Sequence, residues 1–163
     1  MDTGHDSLNW LLENAGPIIR YRTAVELCKE SNVKKLTQLE KDLLSSKLVQ
    51  LWLNRLCPNF DRNVMHSGKP CAFENAMGKL YEFGLREDMR ILDQKTEPFR
   101  RWLRQQMGLP NEGYFPVFYR TLVAAFLSMT GYSDDEAVHA MILKRLETTY
   151  PFARKADLSD VYV

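Results

Sequence analysis

Phe73-Glu-Asn-Ala-Met-Gly-Lys-Leu80 decides the fold class. Its apolar residues stand at 73, 76, 77 and 80, the i, i+3, i+4, i+7 spacing that lines one face of an α-helix. The same period recurs on both sides. Upstream, Leu36, Leu39 and Leu43 open a stripe that Leu44, Leu48, Leu51 and Trp52 continue, and Ile18, Tyr21, Val25 and Cys28 form an earlier one. Downstream come Phe99, Trp102 and Leu103, then Val138, Met141, Ile142 and Leu146. Nowhere does strict alternation run long enough for a sheet. The expected fold is all-α: about seven helices of roughly 8 to 22 residues, in antiparallel pairs forming a helical-repeat arc. The predicted core comprises Leu11, Tyr21, Val25, Leu48, Trp52, Phe73, Leu80, Trp102, Leu122, Phe126, Val138 and Leu146.

Turn residues divide the stripes. Gly16-Pro17 ends a short helix around Leu8 to Glu13, and Pro17 suits the first position of the next. Pro58 closes the helix of Trp52, and Pro70 opens that of Phe73. Gly84 and Gly108 stand where left-handed caps are expected. Thr96 reads as an N-cap with Glu97 in the first turn, and Ser133-Asp-Asp-Glu136 has capping-box spacing. Pro58 to Lys69 is the one long irregular stretch. Trp-Leu pairs at 10, 52 and 102 recur at roughly the length of a helix-turn-helix repeat.

Composition limits the function. The 163 residues fit one domain, expected over residues 1–163. With 22 basic and 21 acidic residues the net charge is +1, so no one-sided field draws in nucleic acid, and none is expected as a partner. Met1-Asp-Thr-Gly-His-Asp6 lacks the basic and apolar regions of a secretory signal. Val117 to Met129, the longest nearly apolar stretch, is interrupted by Tyr119, Arg120, Thr121 and Ser128 and is too short to span a membrane. Cys28, Cys57 and Cys71 are an odd number in a chain large enough to fold without staples. Reduced thiols and a cytoplasmic location are expected.

Few constellations point to chemistry. Cys57, His66 and Cys71 match no compact zinc spacing, so no metal is expected, and no motif implies a cofactor. Asp134-Asp135-Glu136 reads as helix capping. Arg20 and Arg22 flank Tyr21 and are candidate anion binders; the alternative is salt-bridged arginines beside a core tyrosine. Arg100, Arg101 and Arg104 interleave with Phe99 and Trp102, a pattern also found at phosphate-binding surfaces, although in a chain of near-zero net charge an amphipathic helix with a solvated basic face is the preferred account. Gly113-Tyr-Phe-Pro-Val-Phe-Tyr119 places four aromatics before the most apolar helix. Tyr114, Phe115 and Tyr119 are the candidate lining of an apolar cleft, core packing being the alternative. No Gly-x-Ser-x-Gly or glycine-rich phosphate loop is present.

Three stretches carry a resemblance: Trp10-Leu-Leu-Glu-Asn with Pro17-Ile-Ile-Arg-Tyr-Arg-Thr-Ala24, Phe73-Glu-Asn-Ala-Met-Gly-Lys-Leu-Tyr-Glu-Phe-Gly-Leu85, and Gly131-Tyr-Ser-Asp-Asp-Glu-Ala-Val138. Across roughly residues 8 to 30 and 70 to 150 the chain resembles the N-terminal half of bacterial prenyltransferase-like proteins. Their helical repeats are akin to those of squalene-hopene cyclases and protein prenyltransferases. The resemblance implies helix pairs curling as part of an α/α toroid, with a concave side able to hold an apolar ligand. No catalytic residue carries over, because the Asp-x-Asp-Asp, Asp-Asp-x-x-Asp and Gln-x-x-Asp-Gly-x-Trp signatures are absent. The expected function is therefore a non-catalytic module that binds an apolar molecule or protein partner on its concave face. The alternative is a partial or divergent terpenoid-type enzyme.

Overall fold

A computed structural model describes residues 3–109 and 114–155. Met1, Asp2, Gly113 and the last eight positions of the expected 1–163 domain lie outside them. The described chain is all-helical, with no strand among the described residues. Helix α1 is Thr3–Asn14; α2, Pro17–Arg22, continues as a π-helical turn over Thr23–Leu27. Then follow α3 (Val33–Ser45), α4 (Lys47–Arg55), the single turn α5 (Arg62–Met65) and α6 (Phe73–Glu82). Helices α7 (Arg90–Gln106), α8 (Tyr114–Met129) and α9 (Glu136–Lys155) complete the fold, with a 3-10 turn at Tyr132–Asp134.

Helix α6 shows why the stripe it carries is decisive. Phe73, Ala76, Met77 and Leu80 are all buried. The helix stops at Gly84, whose φ of 91° closes a Schellman cap in which the Leu85 N–H donates to the Leu80 carbonyl. Gly108 adopts no positive φ, so the expected second left-handed cap does not form. Around α6 pack α4 and α8, while α8 also meets α7 and α9. Helices α7 and α8 run antiparallel: Glu87, before α7, donates its N–H to the Thr130 carbonyl after α8, and Arg120 near the start of α8 reaches the Leu109 carbonyl beyond α7. The shared core includes Leu43, Leu53, Leu80, Leu92, Phe99 and Leu127. Complete burial of each such side chain contributes roughly 1.5–3 kcal/mol.

Three expected core residues are exposed, each for a geometric reason. The π-helical turn accommodates an extra residue per turn, so Thr23 and Ala24 face inward and Val25 does not. The extended backbone of Ser46 resets the register between α3 and α4; Val49 and Leu53 are buried, leaving Leu48 outside. Leu146 lies on a part of α9 that extends past the core. Phe73, Leu80 and Val138 are buried as expected; Trp52, Trp102, Leu122 and Phe126 pack against the core while remaining partly open.

Two expected helix starts also move. Thr96 is buried inside α7, where its hydroxyl donates to the Leu92 and Asp93 carbonyls. The stripe Leu92, Thr96, Phe99, Leu103 carries the helix through Pro98. At α9 the cap is Asp135 rather than Ser133: its Oδ1 accepts from the Ala137 N–H at 3.1 Å, and the Ser133 hydroxyl is engaged with Ser128.

Candidate functional site

Helix α8 is apolar on two faces. Tyr119, Val123 and Leu127, with Ala124 beside them, enter the core. Tyr114, Phe118, Thr121 and Ala125, at i, i+4, i+7 and i+11, line the other face. Together with Val117, Leu122 and Arg145 of α9 they bound an open groove of about 430 Å³. Its floor is aromatic and aliphatic. Phe118 holds the centre, its ring 5.9 Å from Tyr114 in a stacked arrangement and 5.4 Å from Tyr119 edge-on. Arg145 is exposed and has no carboxylate partner among the described residues. The groove therefore joins an apolar trough to a solvated guanidinium, a planar fork suited to carboxylate or sulfonate.

Behind Phe118 stands His66, its ring 4.9 Å away at a steep angle. The His66 Nδ1–H donates to Glu74 Oε2 at 2.7 Å, and the other Glu74 oxygen accepts from the Ser67 N–H. Asn75 adds bonds to the Ser67 and Lys69 carbonyls. These contacts fasten the loop before α6 and support one wall of the groove. Cys57 and Cys71 are exposed, and His66 is committed to Glu74. Among the described residues no group of three or more His, Cys, Asp or Glu is gathered for a metal ion.

The sequence candidates are divided between two places. Tyr114 lines the α8 groove; Phe115 is exposed and stacks on Tyr119, which is buried. Arg20 and Arg22 lie on α2, which packs against α1 and α3. Arg20 reaches Asp42 at 3.4 Å. Arg22 grips Glu26 with two hydrogen bonds of 2.9 and 2.6 Å and donates to the Glu82 carbonyl. Those bonds hold the Glu26 carboxyl below its usual range. Between the two arginines, burial pushes the Tyr21 hydroxyl up to about 12. Arg22 borders a second, wider groove of about 600 Å³ with Pro17, Ile18, Ile19 and Phe83. Glu82 lines it too and pairs with Lys79, so both charged groups on the α2 groove, Arg22 and Glu82, already have partners.

The basic helix face is neutralised too. Arg100 pairs with Asp93 and Glu97, and Arg104 with Glu97 and Asp135. The Arg100 guanidinium also covers the Tyr132 ring at 4.5 Å. This cluster pins the turn after α8 across α7; it is a structural clamp. Val117 and Phe118 fall within the aromatic segment that the sequence singles out; Thr121, Ala125 and Arg145 were missed, and Leu122 was expected as core. The 114, 118, 121, 125 spacing could have found the first face, whereas Arg145 is adjacent only through the fold.

No protein-family model, curated protein or solved structure matches this chain.

Proposed function

We propose that this chain is a non-catalytic helical binding module whose concave surface is the α8–α9 groove, and that it takes an elongated apolar molecule with an acidic end. The observation that carries this reading is the second apolar face of α8, left open beside Arg145. A groove of about 430 Å³ matches small-molecule sites in size and in its few, placed polar groups. Contacts of α4 with α6, α6 with α8 and α7 with α9 support reading the helices as stacked pairs, part of an α/α toroid of the prenyltransferase-like kind. The described lining holds no carboxylate, and its hydroxyls, on Thr121 and Tyr114, have no His or carboxylate beside them in the groove to activate them, which favours binding over catalysis. Three exposed free thiols support a reducing, cytoplasmic setting.

Ala125 is exposed on the groove wall, so Ala125→Trp fills the trough at little cost to the core. Fluorescence titration with 8-anilino-1-naphthalenesulfonate and with the neutral N-phenyl-1-naphthylamine tests the reading. Ala125→Trp is expected to weaken both probes about tenfold or more, equivalent to about 1.4 kcal/mol. Arg145→Gln should weaken only the sulfonate, about fivefold, as expected for one charge-assisted contact. Unchanged affinity for both probes in Ala125→Trp would place binding elsewhere.

A further inference from the structure

Helix α9 carries a second apolar stripe, on the side away from the groove. Leu143, Leu146 and Tyr150 are 45%, 58% and 63% exposed, at i, i+3 and i+7. His139 precedes and Ala153 follows at the same alternation of four and three, and both are exposed. That period of 3.5 is the seam of a two-helix coil. The seam lies opposite Val138 and Met141, which anchor α9 in the core. Contact with the chain's own body therefore leaves the stripe bare.

We infer that this stripe docks on the same stripe of a second copy, the two α9 helices running antiparallel about a two-fold axis. The charge distribution favours that mate. Helix α9 starts at Glu136, just after the exposed Asp134, and ends in Arg154 and Lys155; Asp135 between Asp134 and Glu136 is already engaged by Arg104. An antiparallel copy sets each basic end on an acidic start, and the helix dipoles oppose as well. Register follows from the stripe. With Leu143 opposite Leu146 of the mate, Tyr150 falls opposite the second copy's His139, and Arg154 comes level with Asp134 and Glu136. Glu147 then faces Ala140, so no like charges meet. A parallel pair would instead place acid beside acid and base beside base. The surface is thus self-complementary, as a two-fold interface requires.

Two helices meeting over about 20 Å bury less than the roughly 800 Å² per partner of a standard interface, so the dissociation constant is expected in the micromolar range. Sedimentation of the full chain from about 5 to about 500 µM tests this, since dimerisation responds to concentration by mass action. The mass is expected to rise from 19.0 kDa towards twice that value. Leu146→Glu changes an exposed side chain and should weaken association at least tenfold with an unchanged helical spectrum. Arg154→Glu and Glu136→Lys should each weaken it several-fold, and the two together should restore it. A chain that stays monomeric overturns the proposal and leaves the stripe to residues 156–163 or to a different protein. A dimer that Leu146→Glu does not disturb overturns it as well. Failure of the double reversal, with each single variant weakened, contradicts the antiparallel arrangement.

Discussion

Phe99→Ala is expected to cost about 3–5 kcal/mol of folding stability. Phe99 is fully buried on α7 and its ring joins three segments. Phe73 of α6 lies 4.6 Å away, and Phe60, from the irregular stretch before α5, meets it edge-on at 5.4 Å. Phe60 in turn stacks on Trp102 at 5.3 Å and 9°. Truncation leaves a cavity bounded by rigid helices and releases the aromatic clasp on the Phe60 segment, so the site collapses poorly. Trp102→Ala should cost less, because that ring is partly open. Leu146→Ala, outside the core, should stay within about 0.5 kcal/mol of wild type. Urea unfolding followed by circular dichroism gives all three. A loss below about 1 kcal/mol for Phe99→Ala would mean that α7 is not anchored where its stripe puts it.

Gly131→Ala comes second, at about 1–3 kcal/mol. Gly131 has φ +113°, a conformation that side chains rarely adopt, and it opens the turn from α8 into α9. A Cβ there would lie 3.0 Å from Glu87 Cγ. The Glu87 side chain can swing away, but its backbone is held by the 2.9 Å bond to the Thr130 carbonyl, so the torsional strain remains. Relief would shift Tyr132, whose ring lies under Arg100, and with it the clamp across α7. Thermal melting should fall by several degrees. Gly78→Ala is the control of opposite sign. Inside α6 its Cβ meets only Phe126 Cε1 at 3.5 Å, an ordinary contact, so the variant should gain about 0.4–1 kcal/mol. Destabilisation by both would implicate crowding rather than backbone conformation.

The two glycines show what a linear reading can and cannot deliver. Helix period was legible where an unbroken α-helix packs against the core along its length: Phe73, Ala76, Met77 and Leu80 are buried as their spacing demands. It failed where geometry changed without a sequence marker. The π-helical turn displaced Val25, and Ser46 rotated α4 relative to α3, although no Gly or Pro signals either event. At Thr96 a real marker misled, because a threonine that can bond its own helix's carbonyls is as content inside a helix as at its start. The site followed the same logic. Aromatic density drew attention to the start of α8, and of the three aromatic candidates Tyr114 lines the groove. Which ring faces the core and which the open side depends on where α6, α7 and α9 pack, so Tyr119 proved to be core. The arginines Arg20 and Arg22 were legible as cations but not as cations already paired, since Asp42 and the Glu82 carbonyl reach them only through tertiary packing.

Binding in the groove beside Arg145 can be located residue by residue. Dodecanoate, an apolar chain with a carboxylate end, is titrated into the nitrogen-15-labelled protein while amide resonances are followed. Saturable shifts are expected at Val117, Phe118, Thr121, Leu122 and Ala125 and at Arg145, and those of Ile18, Ile19 and Phe83 should stay in place. Shifts confined to Ile18, Ile19 and Phe83 on the α2 groove, or none at any of these positions, would rule out the groove beside Arg145 as the binding site.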